Sequence, residues 1–257
     1  NNDANWDYGI AYGAAGGVIE SNVTAKIKTA FRSFAGDLVF REGSVLQTYG
    51  SFSVPSVFPG KAQFHDNTRV VKSNPHGSSV TFNCPVELLG SLRVEAPAHH
   101  GGVPFNYPIG GSGGITMVGA NNTTFSFNAT NTFSGGVLIY NGGSRIAANS
   151  DGALGMGNVT ISNACSLTIA SSLSDTIADS ATLQLYGAKD GRSASKVILG
   201  SDESVSELYI EGLPQQSGTW GPEGSSATYQ TNLFSGAGIL TVEYTEIPPA
   251  GSLLIVR

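Results

Sequence analysis

The most constraining feature of this sequence is the recurrence of short apolar segments separated by Gly, Asn, Ser and Asp. Segments such as "DLVF" (37–40), "TFSF" (124–127) and "SLTI" (166–169) alternate apolar with small or polar residues. This alternation is typical of a β-strand that buries one face. Similar segments lie at 79–82, 91–94, 114–117, 136–140, 158–161, 182–185, 196–199, 207–210, 239–242 and 252–256. The sequence therefore predicts an all-β protein.

One segment leaves helix and strand open. Residues 23–37 place Val23, Ile27 and Phe31 at helical spacing, and Gly36 is a candidate helix end. The β-branched residues at its start favour a strand over 22–27 instead.

Many short strands fit either a sandwich of hairpins or a solenoid of parallel coils. "YNGG" (140–143) and "SDGA" (150–153) carry the Asn-Gly and Asp-Gly pairs typical of hairpin turns. The uneven spacing of the strands favours a solenoid, because insertions leave a stacked coil at its corners. Charged residues are only 12% of the chain, which avoids stacking like charges on neighbouring coils. We expect a single parallel β-helix of about ten coils, each of roughly 20–25 residues.

Residues 131–169 resemble the autotransporter-associated β-strand repeat. The matching positions are Asn131, Phe133, Ser134, Gly135, Gly136, Gly142, Gly143, Ala153, Leu154, Gly155, Gly157, Val159 and Ile161. Residues 32–51 are similar to a weaker copy, and residues 207–244 are similar to the segment that often closes such arrays. The resemblance implies a right-handed parallel β-helix on a secreted or cell-surface protein. Its six glycines are expected to be structural, at coil corners or at positive φ.

We divide the chain into an N-terminal cap (1–30), the β-helix (31–244) and a C-terminal tail strand (245–257). A polar excursion at 218–232 is expected to fold over the last coil, with Trp220 as its apolar plug. The tail strand is a candidate for self-association, because a strand can add to an exposed sheet edge of a second copy.

Charge and motif content argue against several functions. The net charge of −6 offers no basic stripe for phosphates, so nucleic acid is not an expected partner. No apolar run is long enough to span a membrane as a helix. The adjacent His99 and His100 point to opposite sides of an extended chain, so we expect no metal there. We also expect no cofactor and no catalytic centre.

Polysaccharide chemistry is the main enzymatic alternative. Glycoside hydrolysis needs two carboxylates about 5–10 Å apart. The sequence offers three candidate pairs: Asp175 with Asp179, Asp202 with Glu203, and Glu207 with Glu211. Four aromatic residues are candidate ligand contacts, although positions in caps and loops explain them better: Phe105, Tyr107, Trp220 and Tyr229.

Cys84 and Cys165 are read as two buried thiols, with a disulfide left open. Together these observations predict a non-catalytic, secreted or cell-surface scaffold or adhesin-like module, with surface glycans or other cell-surface proteins as partners. The alternative is a carbohydrate-binding or polysaccharide-degrading β-helix protein.

Overall fold

The computed structural model describes residues 3–5, 16–27, 37–48, 52–54, 60–73, 79–97, 101–120, 122–187 and 194–244. Within these residues the chain is all β and contains no helix. Successive strands pass through three sheets, which we call walls B, A and C in the order in which each complete coil passes through them. Each strand runs parallel to its counterpart in the next coil. The predicted parallel β-solenoid is confirmed.

The strands are as follows. Wall A stacks Asp3–Asn5, Thr24–Ile27, Val45–Thr48, Thr68–Lys72, Leu92–Ala96, Ile115–Gly119, Val137–Tyr140, Val159–Ile161, Thr182–Leu185, Glu207–Ile210 and Leu213–Pro214. Wall B stacks Gly16–Ile19, Asp37–Phe40, Ala62–Phe64, Val86–Leu88 and Ile109–Gly111. Wall C stacks Phe52–Val54, Val80–Phe82, Gly102–Phe105, Thr124–Phe127, Arg145–Ala148, Ser166–Ile169, Lys196–Leu199 and Phe234–Gly236. A fourth sheet at the C-terminal end contains Glu203–Val205, Leu240–Val242, Gly218–Gly221 and Tyr229–Gln230.

The coils have the predicted length. Partners on neighbouring coils of wall A are 21 residues apart at Asp3↔Thr24 and 25 apart at Leu183↔Leu208. Within the described residues, wall A stacks ten strands in parallel. The solenoid completes about seven turns, fewer than the ten coils expected from the sequence. Seven consecutive coils between 37 and 199 have described strands in walls A and C, and the first four of them also have a strand in wall B. Nine steps at the usual strand spacing give a stack of about 43 Å.

Inward-facing side chains fill a continuous apolar shaft. Phe82, Phe105 and Phe127 stack on three successive coils of wall C, with ring centres 4.4 and 5.2 Å apart. Phe40 and Phe64 form a similar stack on wall B, with centres 4.4 Å apart. All five rings are 1% exposed or less. Parallel stacking thus places like side chains on top of one another, which is how single strands of three to five residues build one core.

Glycines form a column at the corner between walls B and A, where successive coils touch backbone to backbone. A Cβ on Gly113 would lie 1.8 Å from the carbonyl oxygen of Gly90, and one on Gly135 would lie 2.4 Å from the carbonyl carbon of Gly113. The column continues to Gly157, whose Cβ would lie 2.4 Å from the amide nitrogen of Gly136. A side chain fits none of these approaches, which explains glycine at Gly113 and at the repeat-signature positions Gly135 and Gly157.

The segment that resembles the repeat lies where wall B becomes irregular. After Ile109–Gly111 the chain returns to this wall at 131–134 and 153–156 without forming regular strands. The buried Asn131 side chain bridges the gap: its Oδ1 accepts a hydrogen bond from the Ile109 amide (2.7 Å), and its Nδ2 donates one to the Ala153 carbonyl (2.6 Å). A buried side-chain amide therefore adds to the backbone hydrogen bonds that still link these three coils.

A ladder of asparagines runs along the corner between walls C and B. Asn106 donates to Asn83, Asn128 to Asn106 and Asn149 to Asn128, over 2.6, 2.6 and 2.8 Å. Amide side chains can repeat from coil to coil because each both donates and accepts a hydrogen bond.

The solenoid begins earlier in the chain than the predicted N-terminal boundary. Strands Gly16–Ile19 and Thr24–Ile27 already pair in register with the next coil, so the solenoid extends into the segment assigned to an N-terminal cap. The strand alternative for 22–27 is therefore the one observed. The tail strand within 245–257 lies outside the described residues.

Antiparallel strands close the C-terminal end. Leu213–Pro214 folds back on Glu207–Ile210 in wall A, and Gly218–Gly221 pairs antiparallel with Leu240–Val242 in the fourth sheet. Trp220 is only 8% exposed, stacks on Tyr229 at 4.7 Å and donates from its indole nitrogen to the Gln216 carbonyl. The excursion at 218–232 therefore covers the solenoid end, with Trp220 as its plug, and protects strand edges that would otherwise invite association.

Candidate functional site

Several carboxylates at the coil corners bind backbone groups of neighbouring coils, among them Asp202 and Glu203 of the pairs considered for chemistry. Asp151 Oδ1 accepts hydrogen bonds from the amides of Ser174 and Asp175, and these bonds lower the pKa of Asp151. Asp202 Oδ1 accepts one from the Ile239 amide over 2.8 Å. These side chains fasten corners in the same way as a helix cap satisfies orphan amides.

Glu203 is a buried carboxyl group that also binds a backbone amide of a neighbouring coil. It is 4% exposed, and its Oε2 accepts a hydrogen bond from the Thr176 amide over 2.9 Å. Burial raises its pKa to about 7, and the charge of Asp175 adds to that rise, although three backbone amides oppose it. A raised pKa is a mark of many catalytic acids, but this carboxyl faces the shaft and not a cleft.

Asp175 is the second acid with a raised pKa. Burial is the main cause, followed by the charges of Asp179 and Asp151. Among the described residues, no group of three or more His, Cys, Asp or Glu is placed to hold a metal ion. His76, His99 and His100 lie outside the described residues.

The four candidate ligand-contact aromatics do not form one surface. Phe105 is in the apolar shaft, 1% exposed, which rules it out as a surface contact and corrects that assignment. Trp220 and Tyr229 stack on each other in the end closure. Tyr107 is 37% exposed at the corner after the wall C strand Gly102–Phe105. Only Tyr107 keeps a substantially exposed position.

Both cysteines are free and buried, as favoured from the sequence. Burial raises the pKa of each thiol to about 11. Neither thiol is therefore a nucleophile at neutral pH.

The most organised cluster of exposed side chains lies on the outer face of wall A. Arg69 binds Glu95 with two hydrogen bonds, of 2.8 and 3.1 Å, and Arg93 Nε binds the same carboxylate over 2.7 Å. Arg93 Nη1 donates to the Tyr140 hydroxyl, and its guanidinium carbon lies 5.5 Å from the centre of the Tyr140 ring. We call Arg69, Glu95, Arg93 and Tyr140 the wall A network.

Within the network, the charge of Glu95 is paired with the charges of Arg69 and Arg93. Burial would raise the pKa of Glu95, but the hydrogen bonds from Arg69 and Arg93 outweigh it, and the pKa is lowered. Glu95 therefore stays ionised and holds both guanidinium groups in place. The network links coils that are not neighbours, because Arg93 is paired with Thr116 and Thr116 with Leu138, two residues before Tyr140.

Sequence reasoning missed this network, although a signal exists. "TRVVK" (68–72) and "LRVEA" (92–96) repeat the same pattern 24 residues apart. Aligning them as stacked coils places Arg69 beside Arg93 on the outer face. A shallow depression of about 260 Å³ lies next to the network and is lined by Glu95, Pro97, Val118, Gly119, Ala120, Asn141 and Gly142.

Comparisons with protein-family models, curated proteins and solved structures found no match to this chain. The resemblance of 131–169 to the autotransporter-associated repeat accordingly stays a prediction. In the described part of the chain, no helix is long and apolar enough to cross a bilayer.

Proposed function

We propose that this chain is a non-catalytic β-solenoid scaffold of a secreted or cell-surface protein, and that its flat walls serve recognition or spacing. The observation that carries the proposal is the use made of its polar side chains. Asp151, Asp202, Glu203 and Asn131 bind the backbone of neighbouring coils, so they hold the stack together. The resemblance of 131–169 to a repeat of exported passenger proteins supports the location.

Polysaccharide cleavage is less well supported. The side chain of Glu203 is buried among backbone amides, and Asp202 is occupied by the Ile239 amide. Glu207 and Glu211 are four residues apart on one strand and its turn, roughly 13 Å at the usual rise per residue. That separation is too long for either geometry of glycoside hydrolysis.

Cell-surface labelling tests the proposal. Antibodies raised against the purified chain should label intact cells of the source organism, or detect the chain in the culture medium, while a cytoplasmic marker stays unlabelled. Labelling only after permeabilisation, with none of the chain in the medium, would overturn the exported location.

A further inference from the structure

The outer face of wall A carries an uncharged strip beside the wall A network. On four successive coils, two outward positions within the strand or directly after it form two rows along the solenoid axis. All are partly exposed and none is charged: Thr116, Val118, Leu138, Tyr140, Thr160, Ser162, Gln184 and Tyr186. We call these eight residues the wall A strip. A face with no charge, two aromatic rings, one amide and five hydroxyls suits a neutral ligand that carries many hydroxyl groups.

The two tyrosines of the strip share one row. Tyr140 aligns with Ser162, and Ser162 aligns with Tyr186, because Ile139 pairs with Ile161 and Ile161 with Leu185. Two coil steps therefore separate the tyrosines, about 9.6 Å at the usual strand spacing. Extended β-1,4-linked glycans repeat every two sugar units over a similar length, so the same sugar face would meet a ring at each repeat.

The Tyr140 ring is held in place before any ligand binds. Arg93 binds its hydroxyl from a strand two coils away, so the two side chains reach across the coil that carries Thr116 and Val118. Arg93 also lies over the ring itself, with its guanidinium carbon 5.5 Å from the ring centre. Glu95 and Arg69 fix the guanidinium in turn. An anchored ring loses little conformational freedom on binding, which favours affinity.

Polar groups for sugar hydroxyls accompany the second ring. The Tyr186 hydroxyl lies 3.4 Å from Gln184 Oε1, and Thr160 Oγ1 lies 3.5 Å from the same oxygen. These long contacts leave the amide free to form shorter bonds with a ligand. At the other end of the row, the depression beside Glu95 and Val118 offers space of about 260 Å³ next to Tyr140.

We propose that the wall A strip binds an extended, neutral β-1,4-linked glycan that lies along the solenoid axis, with Tyr140 and Tyr186 as stacking platforms. This assignment deepens the proposed role as a recognition scaffold by naming the partner. A peptide strand is disfavoured, because wall A presents side chains on this face and its backbone groups bond within the sheet.

Calorimetric titration with cellohexaose, chitohexaose and mannohexaose tests the assignment, with maltohexaose as the curved α-linked control. At least one β-1,4-linked hexasaccharide should bind, and its disaccharide should bind at least about tenfold more weakly because it reaches only one ring. Y140T and Y186T should each lower the affinity about tenfold. Threonine keeps the strand propensity of these positions, and unchanged thermal unfolding would show that the variants fold. Y244T removes an exposed tyrosine elsewhere and should bind like the unchanged chain.

Three results would overturn the assignment: no binding of any β-1,4-linked hexasaccharide, equal binding of maltohexaose, or full affinity in both Y140T and Y186T. These outcomes are distinct from a failure of the proposed function. An exported chain that binds none of the glycans loses this site only, and an intracellular chain that binds them loses the exported role only.

Discussion

Replacement of Glu203 by glutamine is expected to remove a loss of folding stability that sets in as the pH rises. The pKa of this carboxyl is about 7 in the folded protein, against 4.5 for an ordinary glutamic acid. Between these pH values the folded protein keeps a proton that the unfolded chain has released. The free energy of unfolding therefore falls as the pH rises from 4.5 to 7. At 1.36 kcal/mol per pKa unit, the full loss is about 3 kcal/mol.

Glutamine keeps an oxygen that accepts the hydrogen bond from the Thr176 amide but carries no charge at any pH. E203Q should accordingly gain up to about 3 kcal/mol relative to the unchanged chain at pH 8.5 compared with pH 4.5. Urea unfolding followed by Trp220 fluorescence measures this locally, because Leu240 pairs with both Glu203 and Trp220. Trp6 would be replaced by phenylalanine so that one indole reports.

E223Q, which changes an exposed carboxylate in the same region, is the control for the loss of one negative charge. A difference in unfolding free energy between E203Q and the unchanged chain that does not vary with pH would refute the reasoning. A variant that is less stable than the unchanged chain at pH 8.5 would refute it too. That result would mean that the backbone amides stabilise the ionised carboxylate more than burial destabilises it.

Three further expectations concern the corners, the thiols and the shaft. G113A should lose about 3 kcal/mol of unfolding free energy or fail to fold, because its Cβ would lie 1.8 Å from a carbonyl oxygen. G110A is the control: its Cβ would have its nearest neighbour 3.4 Å away, so it should unfold within a few degrees of the unchanged chain. Ellman's reagent should detect no thiol in the native protein and two after denaturation; none after denaturation would indicate a disulfide. F105A should cost about 3–5 kcal/mol in thermal or urea unfolding, through loss of contacts with Phe82 and Phe127, and a cost below 1 kcal/mol would place the ring outside the shaft.

Strand positions were largely predictable, because period-2 alternation survives in each short segment. The segments at 37–40, 124–127, 166–169 and 182–185 coincide with observed strands. The misplacement of Phe105 has a local cause, since Pro104 lacks an amide hydrogen and marks a run as a loop. In the structure Pro104 lies within the strand Gly102–Phe105, which pairs with Val80–Phe82 only through Phe105.

Contacts between coils could not be predicted from single segments. The wall A network depends on register: Arg69, Arg93 and Tyr140 meet only because the intervening coils are 22 to 24 residues long. The buried role of Asn131 likewise depends on wall B losing its regular strands after Gly111. Both features arise from the stacking of segments that are distant in sequence, so the propensity of a single segment does not predict them.

Distances along one row of wall A test the stacked architecture most directly. Spin labels would be paired between Val45 and Thr116, Thr160 or Gln184, which lie three, five and six coil steps away, with Cys84 and Cys165 replaced by alanine. Pulsed dipolar spectroscopy should give separations that increase by about 4.8 Å per step, near 14, 24 and 29 Å between the backbones. Separations that stay constant or decrease along this series would contradict a parallel stack and, with it, the account of the walls and corners built on it.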